Sequence, residues 1–558
     1  MRCTLGLAVL ASLAPTAALA GASADDFELL ELGFPEAARS HRVADVDGDG
    51  KLDLTFVFTP ESSAEQRAGG SSQDEDYWLR TCLHEPKPHF SRCVDFDLPG
   101  ETRGYDLGAL DGTPGAELLL VTRDGVAIAS FANGAYGRLE GVPLESLLSA
   151  TDPSAPLALK LLFDLDRDGR AEVLVPTLRG PALYRATERG LSAPVTLESP
   201  ATVKYRFSGP AREVGVATDR ELVRRISAQA TALPIVVDDF DGDGRNDITT
   251  SDGPRLRVFL QAEDASFATE PSLDIERSVL TPEEEEGGFT GEALGFADLD
   301  GDGLADLIAL KWGSSRERTR MDRHLFYARP GLNYPETADQ ILRSESFFPD
   351  FEVRDLNGDG RRDLVIPYFR IAPTQAFKVL TQNALRVQLR LFLMREDGRY
   401  AQGAGKRFAK VDRRVVLDYQ LNVMRMIFGS RGPPDSFSPL LTTRGDFDGD
   451  GFADLAADSG ADRLHIRFGN ERAEYSSRPD LAFPFESSLA YQVVDLNRDG
   501  RSDLVAYYGA AAKRTRSRRA PDELRRGGRP EREPAPDQPA GPPAAARIRV
   551  LLSREAPH

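Results

Sequence analysis

Short apolar runs recur eight times along the chain, each directly behind an acidic or Gly-rich turn. They read "LDLTFVF" from Leu52, "AELLLV" from Ala116, "AEVLVP" from Ala171 and "NDITT" from Asn246. Four more follow: "ADLIAL" from Ala305, "RDLVIPYF" from Arg362, "ADLAA" from Ala453 and "SDLVAYY" from Ser502. Runs of this length, rich in β-branched and aromatic residues and bounded by turn signals, predict strands. Some turns are also entered from an apolar run, "IVV" before Asp238 and "YQVV" before Asp495. Others lead on into two further strands, "DRLHIRFG" then "AEYSSRPDLAFPF", and "ALRVQLRLFLM" then "AQGAGKRFAKV". The repeated element is therefore a unit of four antiparallel strands. Helical periodicity is confined to short stretches such as "PLESLLSA" near Leu144.

The turns share one frame, with acids at relative places 1, 3, 5 and 9. The first copy holds Asp45, Asp47, Asp49 and Asp53; the next complete one holds Asp164, Asp166, Asp168 and Glu172. Asp239, Asp241, Asp243 and Asp247 form the third, and Asp298, Asp300, Asp302 and Asp306 the fourth. Two copies carry an amide at place 3: Asp355, Asn357, Asp359 and Asp363, and later Asp495, Asn497, Asp499 and Asp503. Between them lie Asp446, Asp448, Asp450 and Asp454. An eroded eighth copy places Ala109, Asp111, Thr113 and Glu117 in the same frame and keeps its apolar run. From place 45 to place 495 the copies advance in seven steps of about 64 residues, the spacing of a repeat architecture.

The ends of the array predict closure. The last loop is followed by "RSDLVAYYG", a long polar insert and "ARIRVLLS", which leaves that unit one strand short. The N-terminal "FELLELGFP" has the character of "RPDLAFP", the outer strand before the last loop, and completes the unit. An all-β propeller of eight blades results, with seven blades second and an open stack third. Closure removes the strand edges that an open array leaves exposed. A ring of small units also accounts for 558 residues, which is long for one core.

Carboxylates at places 1, 3 and 5 of a tight turn converge on a point, and a carbonyl near place 7 and the acid at place 9 close a cage. Such all-oxygen sets suit calcium, which takes six to eight oxygens in a flexible shell. No loop contains His or Cys, which disfavours zinc and copper, and magnesium demands a stricter octahedron. The frame is shorter than an EF-hand loop, and its flanks are strands and not helices. A solvated Asp-Gly turn explains a single copy; it does not explain seven in one frame. Those seven concentrate 26 carboxylates, the product of four per loop less the two asparagines. Unpaired, they would repel one another. The chain's net charge is −19, about −20 once a leader with one arginine is removed, and seven calcium ions bring it to about −6.

With the loops assembled, the chain resembles the FG-GAP or VCBS-like repeat proteins, whose calcium-cage propeller is also found in integrin alpha subunits. The resemblance spans about residues 25–553, read as one propeller domain, and rests on the D-x-[DN]-x-D-G-x-x-[DE] copies. It implies calcium in the loop between the first two strands of most blades, held by the seven residue sets above. Asp111 and Glu117 depart from it, since Ala109 and Thr113 replace two ligands. Members of this group serve in adhesion, carbohydrate binding and extracellular assembly.

Residues 1–20, with one arginine, an apolar run and the Ala18-Leu19-Ala20 site, read as a secretory signal peptide. The run is too short and too broken by Pro15 to span a membrane, and no later segment reads as transmembrane. This points to a secreted, periplasmic or outer-surface protein of a bacterium. After cleavage two cysteines remain, Cys82 and Cys93. In an exported protein they read first as a disulfide, then as free thiols, and third as a zinc site with His84 and His89. Residues 61–76 read as a polar loop insert and 511–546 as a disordered basic and Pro-rich one. No nucleic-acid module accompanies the basic segment. His41, His324 and His465 lie singly and read as structural, and no catalytic fingerprint is present. The leading function is therefore a binding or adhesion scaffold for a glycan or an extracellular or envelope protein. A structural envelope protein without a small ligand is second, and a polysaccharide lyase or hydrolase using one propeller face is third.

Overall fold

A computed structural model describes residues 22–34, 37–59, 77–150, 156–187, 190–208, 225–286, 289–314, 319–345, 351–368, 384–403, 408–420, 441–458, 463–485, 490–508 and 546–554. The signal-peptide reading, the 61–76 insert and almost all of the 511–546 insert fall outside these residues. Only Ala546 of the latter is described, where it opens a strand.

Eight sheets, antiparallel but for one short added strand in the second, follow one another around a ring, and the eight-blade reading holds. The first blade pairs Ala37–Ala44, Asp53–Thr59, Trp78–Cys82 and Cys93–Asp97 in chain order. The third, fourth, fifth, sixth and seventh blades repeat this order, over residues 162–196, 235–276, 289–345, 352–420 and 441–484. The eighth takes Ala490–Val494, Asp503–Tyr508 and Ala546–Ser553, then borrows Phe27–Phe34 as its outer strand. Phe27 lies opposite Ser553 and Phe34 opposite Ala546, so the N-terminal strand closes the ring along its whole length.

The second strand of each blade explains the apolar runs. It lies inside its sheet and is covered on both faces, so Glu117–Val121 and Asp454–Asp458 are buried at every residue. Successive side chains point to opposite blades. Leu54, Phe56 and Phe58 pack against Val505, Tyr507, Ile548 and Val550 of the eighth blade. Val57, between them, packs with Leu118 and Leu120 of the second. Seven further clusters, each shared by two neighbouring blades, carry the core around the ring, so among the described residues the core is divided between blade interfaces.

Three features depart from the sequence reading. The sixth blade's fourth strand is Arg413–Gln420, not "AQGAGKRFAKV". The described parts of that earlier segment instead meet the fifth blade. Phe408 bridges Ile341, and the Tyr400 amide donates to Gln340 Oε1 at 2.9 Å. The second blade (Gly104–Gly108, Glu117–Val121, Gly125–Ala129, Glu140–Pro143) gains a fifth strand, Leu157–Ala158, parallel to its first. Gly104 permits this approach, since a Cβ there would lie 2.4 Å from Leu159 Cδ1. A hairpin, Thr202–Ser208 with Arg225–Thr231, stands between the third and fourth blades and pairs only with itself.

Strand alternation sorts the connections into two faces. The acid loops, between first and second strands, share one face with the connections between third and fourth strands. Both described chain ends reach this face too, where the Arg554 amide donates to Asp26 O at 2.8 Å. The blade strands that flank residues 60–76, 369–383, 421–440 and 509–545 end on the opposite face, and the hairpin that carries 209–224 is rooted there, where the Ala201 amide donates to Leu178 O at 3.0 Å. Among the described residues no helix is long and apolar enough to cross a membrane.

Candidate metal centre

Each acid loop is wound by its own carboxylates. The acid at place 1 accepts the amides at places 4 and 6: Asp239 takes Gly242 N and Gly244 N, both at 2.8 Å. The acid at place 5 accepts the amide at place 7, as Asp302 does from Leu304 at 2.9 Å. These bonds bend the turn through glycines with φ between +72° and +94° in the DGDG and NGDG copies, a region open to glycine and costly for most residues. Arg167 and Arg498 hold place 4 at φ 59° and 58° in the two copies without glycine there.

The winding draws the first acids together. Carboxylate oxygens of Asp164, Asp166 and Asp168 lie within 4.8 Å of one another, as do those of Asp239, Asp241 and Asp243, and of Asp298, Asp300 and Asp302. In the loops at 45 and 446 the trio is places 1, 3 and 9: Asp45, Asp47 and Asp53, and Asp446, Asp448 and Asp454. The loops at 355 and 495 substitute the amides of Asn357 and Asn497. There Asn357 Nδ2 donates to Asp359 Oδ2 at 3.1 Å, and its Oδ1 is buried without a partner. An all-oxygen donor set with an orphaned carbonyl oxygen fits a hard divalent cation, so the residues present match the ion that the frame implies.

Place 9 holds a second role that the sequence reading missed. Its carboxylate is buried in every loop, between 0% and 5% exposed. One oxygen accepts the amide at place 2 of its own loop: Val46, Leu110, Leu165, Phe240, Leu299, Leu356, Phe447 and Leu496, at 2.5 to 3.1 Å. In the aspartate copies the other oxygen accepts an amide at the end of the third strand (Ser553) or two residues beyond it (His84, Gln261, Ala328, Met394 and Gly469). One carboxylate thus fastens three segments. The signal was present in the chain, because an apolar residue stands at place 2 in all eight copies. The glutamates reach differently, and Glu172 meets Arg185 at 3.7 Å with its second oxygen.

Burial raises these carboxyls far above the usual range, with the nearby acids adding to the push. Asp53, Asp306, Asp363 and Asp503 rise to about 7, Asp247 to about 6 and Asp454 to about 8. Asp241 and Asp300, at place 3, are also raised, by burial first and by their place-5 neighbours second. Both effects disfavour the charged form, and a cation placed among the oxygens reverses them.

Neighbouring loops are bonded to one another. The amide at place 8 donates to the place-2 carbonyl of the preceding loop: Ala305 to Phe240 at 3.0 Å, Arg362 to Leu299 at 2.8 Å, Ala453 to Leu356 at 3.4 Å and Leu52 to Leu496 at 2.8 Å. Ser502 and Ala171 reach the place-1 carbonyls of Asp446 and Ala109. Asn246 makes the corresponding bond to Asp164 O with its side chain, at 3.1 Å. The eroded loop keeps its shape by other means. Thr113 donates both its amide and its hydroxyl to Asp111, and Glu117 still clasps Leu110.

The Cys82 and Cys93 sulfurs are bonded to each other, so the zinc and free-thiol alternatives fall. The disulfide closes the connection whose His84 amide clasps Asp53. The single histidines are packed groups. His41 stacks on Tyr507 beside Arg42, and burial lowers it to about 4. His324 is lowered likewise, and His465 to a smaller degree.

The FG-GAP-like repeat pattern matches residues 239–309, which run from the acid loop of the fourth blade, just behind its first strand, into the second strand of the fifth. No curated protein matches the chain in sequence. Among solved structures, an Agrocybe aegerita lectin described as recognising non-reducing terminal N-acetylglucosamine is similar at 13% identity and TM-score 0.33, over 82% of each chain. The exotype rhamnogalacturonan lyase YesX is similar at 13% identity and TM-score 0.21, over 94% of this chain and 76% of its own. The V. cholerae biofilm matrix protein Bap1 is similar at 12% identity and TM-score 0.26, over 86% of each.

Proposed function

We propose that this chain is an exported, calcium-stiffened propeller that binds a glycan or an extracellular or envelope protein. The division of its faces carries this reading. Acid loops, third-to-fourth connections and the described chain ends occupy one face, while the blade strands flanking four long connections, and the root of the hairpin that carries a fifth, lie on the other. Loops set on a rigid scaffold are where binding residues collect, so the binding surface is the face away from the acids. Calcium in the seven complete loops stiffens that scaffold. In this reading Asp, Asn and Glu at places 1, 3, 5 and 9 are fasteners and not catalysts, and the Cys82–Cys93 disulfide strengthens the same face.

A glycan array probed with the purified chain, with calcium and with chelator, tests the binding half. Calcium-dependent retention on a defined class of glycan is expected, and is lost when opposite-face connections are shortened. Silence on the array, with no partner captured from envelope or matrix fractions, would leave a purely structural role and sink the proposal. Elemental analysis tests the other half, with about seven calcium ions per chain expected.

A further inference from the structure

We infer that the acid loops fill with metal as a coupled arc and not one at a time. This inference rests on reading those loops as calcium sites. Asp247 holds the Phe240 peptide by its amide, and the carbonyl of Phe240 holds the amide of Ala305. The next residue is Asp306, which holds the Leu299 amide; Leu299 O holds Arg362 N. Asp363 then holds Leu356, whose carbonyl accepts Ala453 N, and Asp454 holds Phe447. Ser502 N reaches Asp446 O, Asp503 holds Leu496, Leu496 O accepts Leu52 N, and Asp53 holds Val46. Six acid loops are thereby joined without a side chain other than the place-9 carboxylates.

The chemistry of the relay sets its direction of effect. On the calcium reading, an ion would be held by oxygens that include the place-9 carboxylate, which stands in the trio at 45 and 446, and would thereby steady the place-2 peptide, to which the next loop is bonded just before its own place 9. Part of the ordering that the second ion requires is then already complete, so the second ion binds more tightly than the first. Close packing adds to the linkage. A Cβ on Gly242 would lie 2.4 Å from Gly303 O in the next loop. The arc ends at the eroded copy, where Ala109 and Thr113 stand in place of two carboxylates.

Native mass spectrometry of the whole chain, stripped with chelator and returned to half-saturating calcium, reads the ion count molecule by molecule. Coupled loops give two populations, nearly empty and nearly full, outnumbering half-filled molecules by about fivefold or more. One broad population centred on half-filled molecules would overturn the coupling while leaving the calcium reading intact. Binding of no calcium at all would overturn that reading, and the coupling with it. Gly242→Ala and Gly244→Ala form a matched pair. Both glycines have positive φ, but a Cβ at Gly244 meets nothing within 4 Å. Gly242→Ala is expected to merge the two populations and Gly244→Ala to preserve them. Identical distributions for the two variants would show that contact between loops is not the carrier.

Discussion

Removing the carboxylate of Asp306 strands two amides, those of Leu299 and Ala328, whereas removing that of Asp302 frees only the turn amide of Leu304. A buried donor left without an acceptor costs about 1–3 kcal/mol. Asp306→Ala is therefore expected to lose roughly 2–5 kcal/mol with or without calcium. Asp302→Ala should lose mainly the increment that calcium adds. Urea unfolding of both variants in calcium and in chelator separates the two roles, and equal losses in chelator would refute the clasp. A pH dependence belongs to His324. It is half-buried, its Nε2 has no partner, and burial with Lys311 nearby lowers it to about 4, against Asp322 and Glu284, which pull it up. The unfolded chain titrates near 6.5, so it binds the proton first as acid is added. The stability contribution of the neutral ring is complete above about 6.5 and is lost as pH falls towards about 4. His324→Leu should lose less thermal stability between pH 7 and pH 5 than the parent, and an identical loss would exclude this histidine as a source.

At the scale of strands, the N-terminal segment carries the closure. Leu30 lies opposite Val550 in mid-strand, so Leu30→Pro removes a ladder amide at the point where the ring is sealed. That variant should bare the Ala546–Ser553 edge and aggregate, as read by light scattering at a temperature the parent tolerates. The disulfide acts more locally. Its loop of 11 residues predicts a loss of roughly 3 kcal/mol for Cys82→Ser with Cys93→Ser, measured by denaturant unfolding. Which strands were legible follows from what buries them. Second strands such as Glu117–Val121 are covered on both faces and read as unbroken apolar runs. Phe27–Phe34 was legible because the last unit lacked a strand. Arg413–Gln420 was not, since "AQGAGKRFAKV" reads like an outer strand, whereas its Phe408 bridges Ile341 of the neighbouring blade and Tyr400, just before it, bonds Gln340 there. The pair Leu157–Ala158 was hidden for a similar reason. Two residues carry no periodicity, and their place is set by the missing side chain of Gly104. At the acid loops, residue type and spacing predict that places 1, 3, 5 and 9 converge, and in five loops the oxygens of three of these places lie within 4.8 Å of one another. The clasp at place 9 depends on amides 7 to 50 residues away in the chain, and spacing does not encode those.

For the whole molecule, charge sets the conditions. A chain of net charge −19 that gathers 26 carboxylates on one face repels itself when no cation is present. Chelation should lower the melting temperature, and added sodium chloride should recover part of that loss by screening. Calorimetry in chelator across a salt series checks this, and a melt indifferent to both would argue against cation dependence. The same face also gathers the described ends of the chain. Phe27 stands opposite Ser553, and Ser553 is held by Asp503 of the last acid loop. Anything that grips either end, a surface or a fused neighbour, would hold the ring like a coin laid acid side down. The opposite side is then presented outward whichever end is held, and orientation is settled by topology before any partner arrives.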